Sequence, residues 1–221
     1  MNFISGGIHA AGTLKNELLK LEGELSPEKK KIYGQLDRIM DNSLEGVQRV
    51  TDIVNSLKFF ANPGKADRQY HDLEELLYST MLNLEKTIPE NIQLRKNIPP
   101  GTIIYCYDEQ LQQVFIHILL NAIQVLEKSD QTKNKIIEIT AEQTNRDNRK
   151  FSCISISNSG PPIPEQDLKK IYDPFYTIND SGSGKGLGMA ISYMIIKEHK
   201  GWIEARNEKG LVIFDIMLPK S

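Results

Sequence analysis

The chain has 221 residues, 39% of them hydrophobic and 25% charged, and a formal net charge of −2. That is the composition of a folded chain with one good core plus a smaller module, and its balanced charge gives no electrostatic case for nucleic acid or an anionic membrane surface. No apolar run approaches the ~18 residues of a spanning helix, and no signal peptide is visible. Cys106 and Cys153 sit in short β-like runs (TIIYCYD, FSCISIS) with no CxxC or Cys/His cluster beside them, which reads as buried free thiols.

Ile4, Ile8, Ala11, Leu14, Leu18, Leu21 and Leu25 recur at three- and four-residue spacings, one stripe on a helix. Ser26 and Pro27 interrupt it: serine can cap, proline fits a first helical turn, and Glu28 suits the positive helix end. A second stripe follows at Ile32, Leu36, Ile39, Ser43, Val47, Val50, Val54 and Leu57, with a mean spacing near ~3.5 that favours a supercoiled seam. Two helices joined by a tight turn make an antiparallel hairpin. One hairpin buries little, so pairing with a second copy into a four-helix bundle is expected. NPGK at 62–65 ends the second helix.

From about residue 68 the pattern is mixed α/β. RQYHDL reads as a short strand, 73–86 as a helix, IQLRKNIP and GTIIYCYD as strands, and 109–128 as a long amphipathic helix. KIIEITAEQT and KFSCISISN alternate as strands around the polar turn NRDNRK. A short helix is expected at about 165–172, then a Gly/Ser-rich loop, a helix at about 187–199, and a closing hairpin of GWIEARNE and GLVIFDIMLP. The fold class is α+β: a helical hairpin (1–63), then a two-layer sandwich (68–221) with a mixed sheet and its helices on one face.

Three segments can carry chemistry, and each has a plainer reading. DEQLQQVFIHILLNAIQVL puts His117 and Asn121 four apart on one helix face, where a lone Asn is often a core polar contact. ISNSGPPIP (156–164) follows a strand directly and by itself is only a turn. DSGSGKGLGMAIS (180–192) places glycines on alternate positions before a helix, so backbone N–H groups can approach an anion at a positive helix end; a ligand-free hinge looks the same.

In order and spacing these segments, with YDPFYT between the last two, resemble the nucleotide-binding domain of sensor histidine kinases, within the ATPase superfamily shared with gyrase-type and Hsp90-type proteins. Asn121 matches the family's N-box asparagine and His117 the polar position one turn before it. NSGPPIP matches the first glycine box, YDPFYT the F box and GSGKGLGMA the second glycine box. The upstream hairpin extends the resemblance to the dimerisation and phosphotransfer module.

The resemblance implies ATP and Mg²⁺ as cofactors, held by His117, Asn121, Asn158, Gly160, Pro162, Ile163, Tyr172, Phe175, Gly184, Lys185, Gly186, Leu187 and Gly188, with Asn121 as metal ligand. It implies a mobile lid over 176–188, a homodimer through the hairpin, a response-regulator receiver domain as partner, and a cytoplasmic location for a parent protein that can be membrane-anchored. Two positions depart from the pattern: Asn158 stands where the family has Asp, and Pro162 where it has Gly. The family's phosphoacceptor box is followed by a run like NFISG, which here occupies 2–6, so the chain is expected to begin just past that box. His9, followed by Ala10 and with no proline at +5, is then a bystander and the acceptor histidine is absent. Two rival readings stay open: a non-catalytic, nucleotide-gated scaffold, and an anti-sigma-type serine kinase on the same fold.

Overall fold

A computed structural model of the chain describes residues 2–22, 26–61, 67–84, 87–129, 135–146, 149–178 and 186–220; residues 2–4, 22, 45, 48–61 and 146 are described by backbone alone. The chain divides into two compact units, Met1–Lys65 and Ala66–Ser221.

The first unit is a pair of helices, α1 (Asn2–Glu22) and α2 (Pro27–Ala61). Ser26 starts α2: its Oγ accepts from the Lys29 amide at 3.3 Å and its carbonyl from the Lys30 amide at 3.0 Å. Pro27 takes the first helical position, where its missing N–H costs nothing. Lys15 on α1 pairs with Asp37 on α2, and a Cβ on Gly12 would come 3.0 Å from Met40 Cε. Moving back along α1 thus moves forward along α2, the register of antiparallel helices. Leu14, Leu18, Leu21, Ile32, Leu36 and Ile39 remain exposed, so the hairpin leaves much of its apolar seam uncovered. His9 is exposed on α1, its carbonyl accepting from Thr13 Oγ1 at 3.1 Å. Leu25, the NPGK stop and the side chains of Val50, Val54 and Leu57 lie outside the described residues.

The second unit runs β1 (Gln69–Asp72), α3 (Leu73–Leu84), β2 (Ile92–Asn97), β3 (Ile103–Cys106), α4 (Asp108–Lys128), β4 (Lys135–Arg146), β5 (Arg149–Asn158), α5 (Gly188–Glu198), β6 (Trp202–Glu208) and β7 (Leu211–Pro219). β1 and β3 form a separate antiparallel ribbon, and the other five strands one mixed sheet of order β2-β4-β5-β7-β6. β2 runs parallel to β4, and the remaining pairs are antiparallel. Asp72 ends β1 and caps α3, its Oδ1 accepting from the amides of Glu74 (2.7 Å) and Glu75 (3.3 Å).

Register explains the layers. Ile139 faces Ile156, which faces Phe214, which faces Ala205, so alternate residues of four strands share one buried side. Against that side pack the helices, chiefly α4 through Leu111, Val114, Phe115, Ile118, Leu119, Ala122, Ile123 and Leu126 at helical spacing. Cys106 and Cys153 are buried and unpaired, and burial, with Asp108 adding, pushes the Cys106 thiol up to about 12. The expected helix over 165–172 is realised as turns with a single 3₁₀ turn at Lys170–Tyr172. Pro164 and Pro174 bracket it, and a residue before proline is pushed out of the α region, leaving too few residues to propagate a helix. Among the described residues no helix is long and apolar enough to cross a membrane.

Candidate functional site

One margin of α4 carries His117, Asn121 and Val125, each half-buried and one turn apart. The row's ends touch two different loops. A Cβ on Gly188, at the start of α5, would lie 3.3 Å from His117 Cγ. A Cβ on Gly160, in the turn after β5, would lie 2.6 Å from Val125 Cγ1 and 2.8 Å from Asn158 Oδ1. The row spans ~12 Å, with Asn121 at its middle. The side chain of Asn121 makes no hydrogen bond among the described residues.

Asn158 closes β5, buried, and its Oδ1 accepts from the Gly160 amide at 3.0 Å, an Asx turn that folds the chain back. Ser159 fastens the turn to β4: its amide donates to Ile136 O at 3.0 Å, and its Oγ accepts from the Ile136 amide at 2.9 Å. Further on, Asn207 of β6 holds Ile163 by both backbone groups, accepting from its amide at 3.0 Å and donating to its carbonyl at 2.7 Å. Pro162, between them, is exposed.

Phe175 and Gly186 form a clasp across the glycine-rich loop. The Phe175 amide donates to Gly186 O at 2.9 Å, with φ of 67° at Phe175 and 65° at Gly186. A Cβ at Gly186 would stand 2.4 Å from Phe175 C, so only glycine fits there. Gly184 and Lys185, inside the loop, lie outside the described residues. Tyr176 Oη donates to Asp167 Oδ1 at 2.6 Å, and this bond to the carboxylate pushes the phenol's pKa up. The Tyr172 ring packs against Tyr193 of α5, centroids 5.6 Å apart, with its hydroxyl buried and unpartnered among the described residues. Burial, with Glu204 and Asp215 adding, raises that phenol too. Phe175's ring, by contrast, is exposed.

α5 begins with buried Leu187 at its N-cap and no side-chain cap. Among the described residues its first-turn amides therefore have neither an intrahelical nor a side-chain acceptor, a ready site for an anion. One turn in, the fully buried Ser192 bonds both Gly188 O (2.8 Å) and His117 Nδ1 (3.1 Å). The structure thus brings His117, Asn121, Asn158, Gly160 and Gly188 around one row. Tyr172 packs against α5, and Phe175 binds the end of the loop at Gly186.

Sequence reasoning missed Ser192, Asn207, Asp167 and His199. Asn207 had a signal: it shares the buried-side parity of Ile203 and Ala205, where a polar residue needs a reason. His199 ends α5, almost fully buried, with Nδ1 donating to Ile195 O (2.7 Å) and Nε2 accepting from the Tyr107 amide (3.0 Å). Burial lowers its pKa. Arg68 bonds the carbonyls of Glu198 and His199 and lies over the Tyr107 ring.

The residues fit a nucleotide with a divalent cation. Gly160 and the uncapped helix start allow close backbone approach. Among the described residues no three His, Cys, Asp or Glu side chains form a metal cluster, so a cation here would rely on an amide oxygen and its ligand's own phosphates.

Residues 106–221 match the family described as histidine kinase-, DNA gyrase B-, and HSP90-like ATPase. Sporulation kinase E of Bacillus subtilis (strain 168) is 30% identical over 95% of this chain and 27% of its own length. Sporulation kinase C of the same organism is 29% identical over 95% of this chain and 47% of its own length, so the chain spans between about a quarter and a half of these relatives. Among solved structures, the catalytic domain of histidine kinase ThkA is 30% identical with a TM-score of 0.60, covering 70% of this chain and 97% of that domain. ThkA in complex with response regulator protein TrrA is 25% identical with a TM-score of 0.64, covering 99% of this chain and 60% of that one. The expected family and the α+β sandwich therefore stand. By the match over more than half its length, this chain belongs to the histidine kinase-, DNA gyrase B- and HSP90-like ATPase family.

Proposed function

We propose that this chain is the kinase core of a two-component sensor histidine kinase. It binds ATP with Mg²⁺, and in the full-length parent the γ-phosphate passes to a helix histidine and on to an aspartate of a response-regulator receiver domain. The observation that carries this reading is the α4 row, which holds Asn121 between the glycine-dependent turn at 160 and the uncapped helix start at 188.

Each residue's part follows from its chemistry. The first-turn amides of α5, with the loop's Lys185, receive phosphate oxygens. Asn121 gives the cation one amide oxygen. When bound, the cation offsets charge that gathers on the transferring phosphoryl group. Asn158 spends one Oδ1 lone pair on Gly160, and its second lone pair and its amide hydrogens are left to meet the edge of a base. The Phe175–Gly186 clasp joins the two ends of the loop. Little covalent work falls to the protein; position and charge do most of it. His9, exposed and followed by Ala10, is given no acceptor role. The uncovered apolar seam of the hairpin supports a homodimer, and the complex of ThkA with TrrA supports a receiver domain as partner.

The test is calorimetry of ADP and a non-hydrolysable ATP analogue with and without Mg²⁺. Asn121→Ala is expected to abolish the metal-dependent part of the affinity. Equal Mg²⁺ dependence in both proteins overturns the assignment.

A further inference from the structure

Asp167 is a buried carboxylate, 7% exposed, and a charge kept from water needs compensation close at hand. Tyr176 supplies it from nine residues further on, its Oη donating to Oδ1 at 2.6 Å, the short length of a hydroxyl on a carboxylate. Lys170 adds an ion pair at 3.9 Å, beyond hydrogen-bond range.

This bond joins two parts of the site. On the Asp167 side, the Asp167 amide donates to Pro164 O at 2.8 Å, and the adjoining Ile163 is pinned to Asn207 of β6 through both backbone groups. On the other side, Tyr176 follows Phe175, whose amide donates to Gly186 O at 2.9 Å. Tyr176 N and O also stand against Gly186, each 2.6 Å from where a Cβ would be. Bonds therefore run without a gap from β6, through the end of the turn after β5 and Asp167, to Tyr176, Phe175 and the start of α5. A shift at Ile163 can reach the clasp through short bonds across the 3₁₀ turn at Lys170–Tyr172 rather than along the intervening chain. The clasp has two states, bonded and open, so both ends of the site can bias its balance.

We propose that Tyr176 is a positioning residue. Its bond to Asp167 couples the turn after β5 to the Phe175–Gly186 clasp, so that a purine seated at the turn holds the start of α5 ready for phosphate. The role of the purine rests on the nucleotide reading of the site; the coupling itself does not. Coupling is reciprocal, so phosphate at α5 tightens the hold on the base by the same factor.

Hydrogen exchange at the Phe175 amide reports the open state of the clasp. Tyr176→Phe keeps the ring and removes only the hydroxyl, and should speed that exchange by roughly two- to tenfold, the loss of one hydrogen bond. The coupling is read from a double-mutant cycle in nucleotide-free protein. Asn207→Leu, which releases Ile163, should speed exchange at Phe175 in the wild-type background and add nothing in Tyr176→Phe. A tyrosine that merely stiffened its own segment would leave the effect of Asn207→Leu intact. An equal effect in both backgrounds, or none in either, therefore overturns the proposal. Adenosine, a ligand with a base and no phosphate, is then added to saturation. It should slow exchange at Phe175 in wild type and leave Tyr176→Phe unchanged; slowing by the same factor in both overturns the route through Tyr176. If the cycle holds and adenosine does nothing to wild type, the coupling stands and the nucleotide reading of the turn falls.

Discussion

Replacing Gly186 with alanine tests the clasp at the base of the loop. Two costs can be worked out. Gly186 has φ of 65°, and an L-residue in that region costs ~1–2 kcal/mol. The new Cβ would also stand 2.4 Å from Phe175 C and 2.6 Å from both Tyr176 N and Tyr176 O. These are backbone atoms, which cannot rotate aside, so the 175–176 segment must retreat by ~1 Å to reach ordinary contact. That retreat breaks the 2.9 Å bond from the Phe175 amide to Gly186 O, a loss of ~0.5–1.5 kcal/mol. Together the clasped state loses ~1.5–3.5 kcal/mol, which is roughly a ten- to three-hundred-fold shift toward the open loop. Amide hydrogen exchange at Phe175 reads this directly and should speed up by that factor. Gly210→Ala is the control, because Gly210 has φ of 79° but nothing within 4 Å of its Cβ position, so it carries the backbone cost alone. Unchanged exchange at Phe175 in Gly186→Ala would refute the clasp. Opening no larger than a backbone penalty alone explains would show that the contact with Phe175 and Tyr176 is not what matters.

Three further outcomes can be checked. His199 has its pKa lowered by burial, so the unfolded chain binds its proton more tightly; the stability it contributes is present above ~pH 6.5 and is lost as pH falls below that. Denaturant melts from pH 8 to 5 should show a steeper loss for wild type than for His199→Gln, and identical slopes would sink the idea. Asn207→Leu leaves the amide and carbonyl of the half-buried Ile163 without their partners, at a cost of ~1 kcal/mol, and should weaken nucleotide binding as the turn after β5 loosens; calorimetry and melts measure both. Ile39→Glu places a carboxylate in the exposed seam of the hairpin, and light scattering should report a native dimer moving toward monomer; a native monomer at micromolar concentration rejects the paired bundle.

Long periodic signals were the easiest to read. α4 repeats its apolar positions over about four turns, and the strands alternate cleanly where one side is buried, so their type and place are visible in the residues themselves. The helix expected at 165–172 failed because two flanking prolines outweigh a short run of good helix formers. The candidate site was legible where it rests on backbone needs: Gly160 and Gly186 stand where a side chain would collide, and one at Gly188 would crowd the His117 ring. It was not legible where it depends on partners distant in sequence. Ser192 meets His117 from 75 residues away, and Asn207 meets Ile163 from 44, and neither spacing repeats with any period. His199 looks like any polar residue at a helix end until the fold buries it against Tyr107.

The strand order leaves β2 and β6 as the open edges of the main sheet. Unpaired edges invite strands from neighbouring molecules, and a run of exposed apolar residues there would template aggregation. β2 instead presents exposed Gln93, Arg95, Lys96 and Asn97. β6 presents exposed Glu204 and Glu208, with Arg206 bonded to Glu208 and Asp215. Adding a strand at either edge would crowd and desolvate these charged side chains, so the sheet is guarded against joining end to end. The edges of the β-layer are thereby guarded against pairing between copies, while leucines and isoleucines on the helices of the first unit stand uncovered.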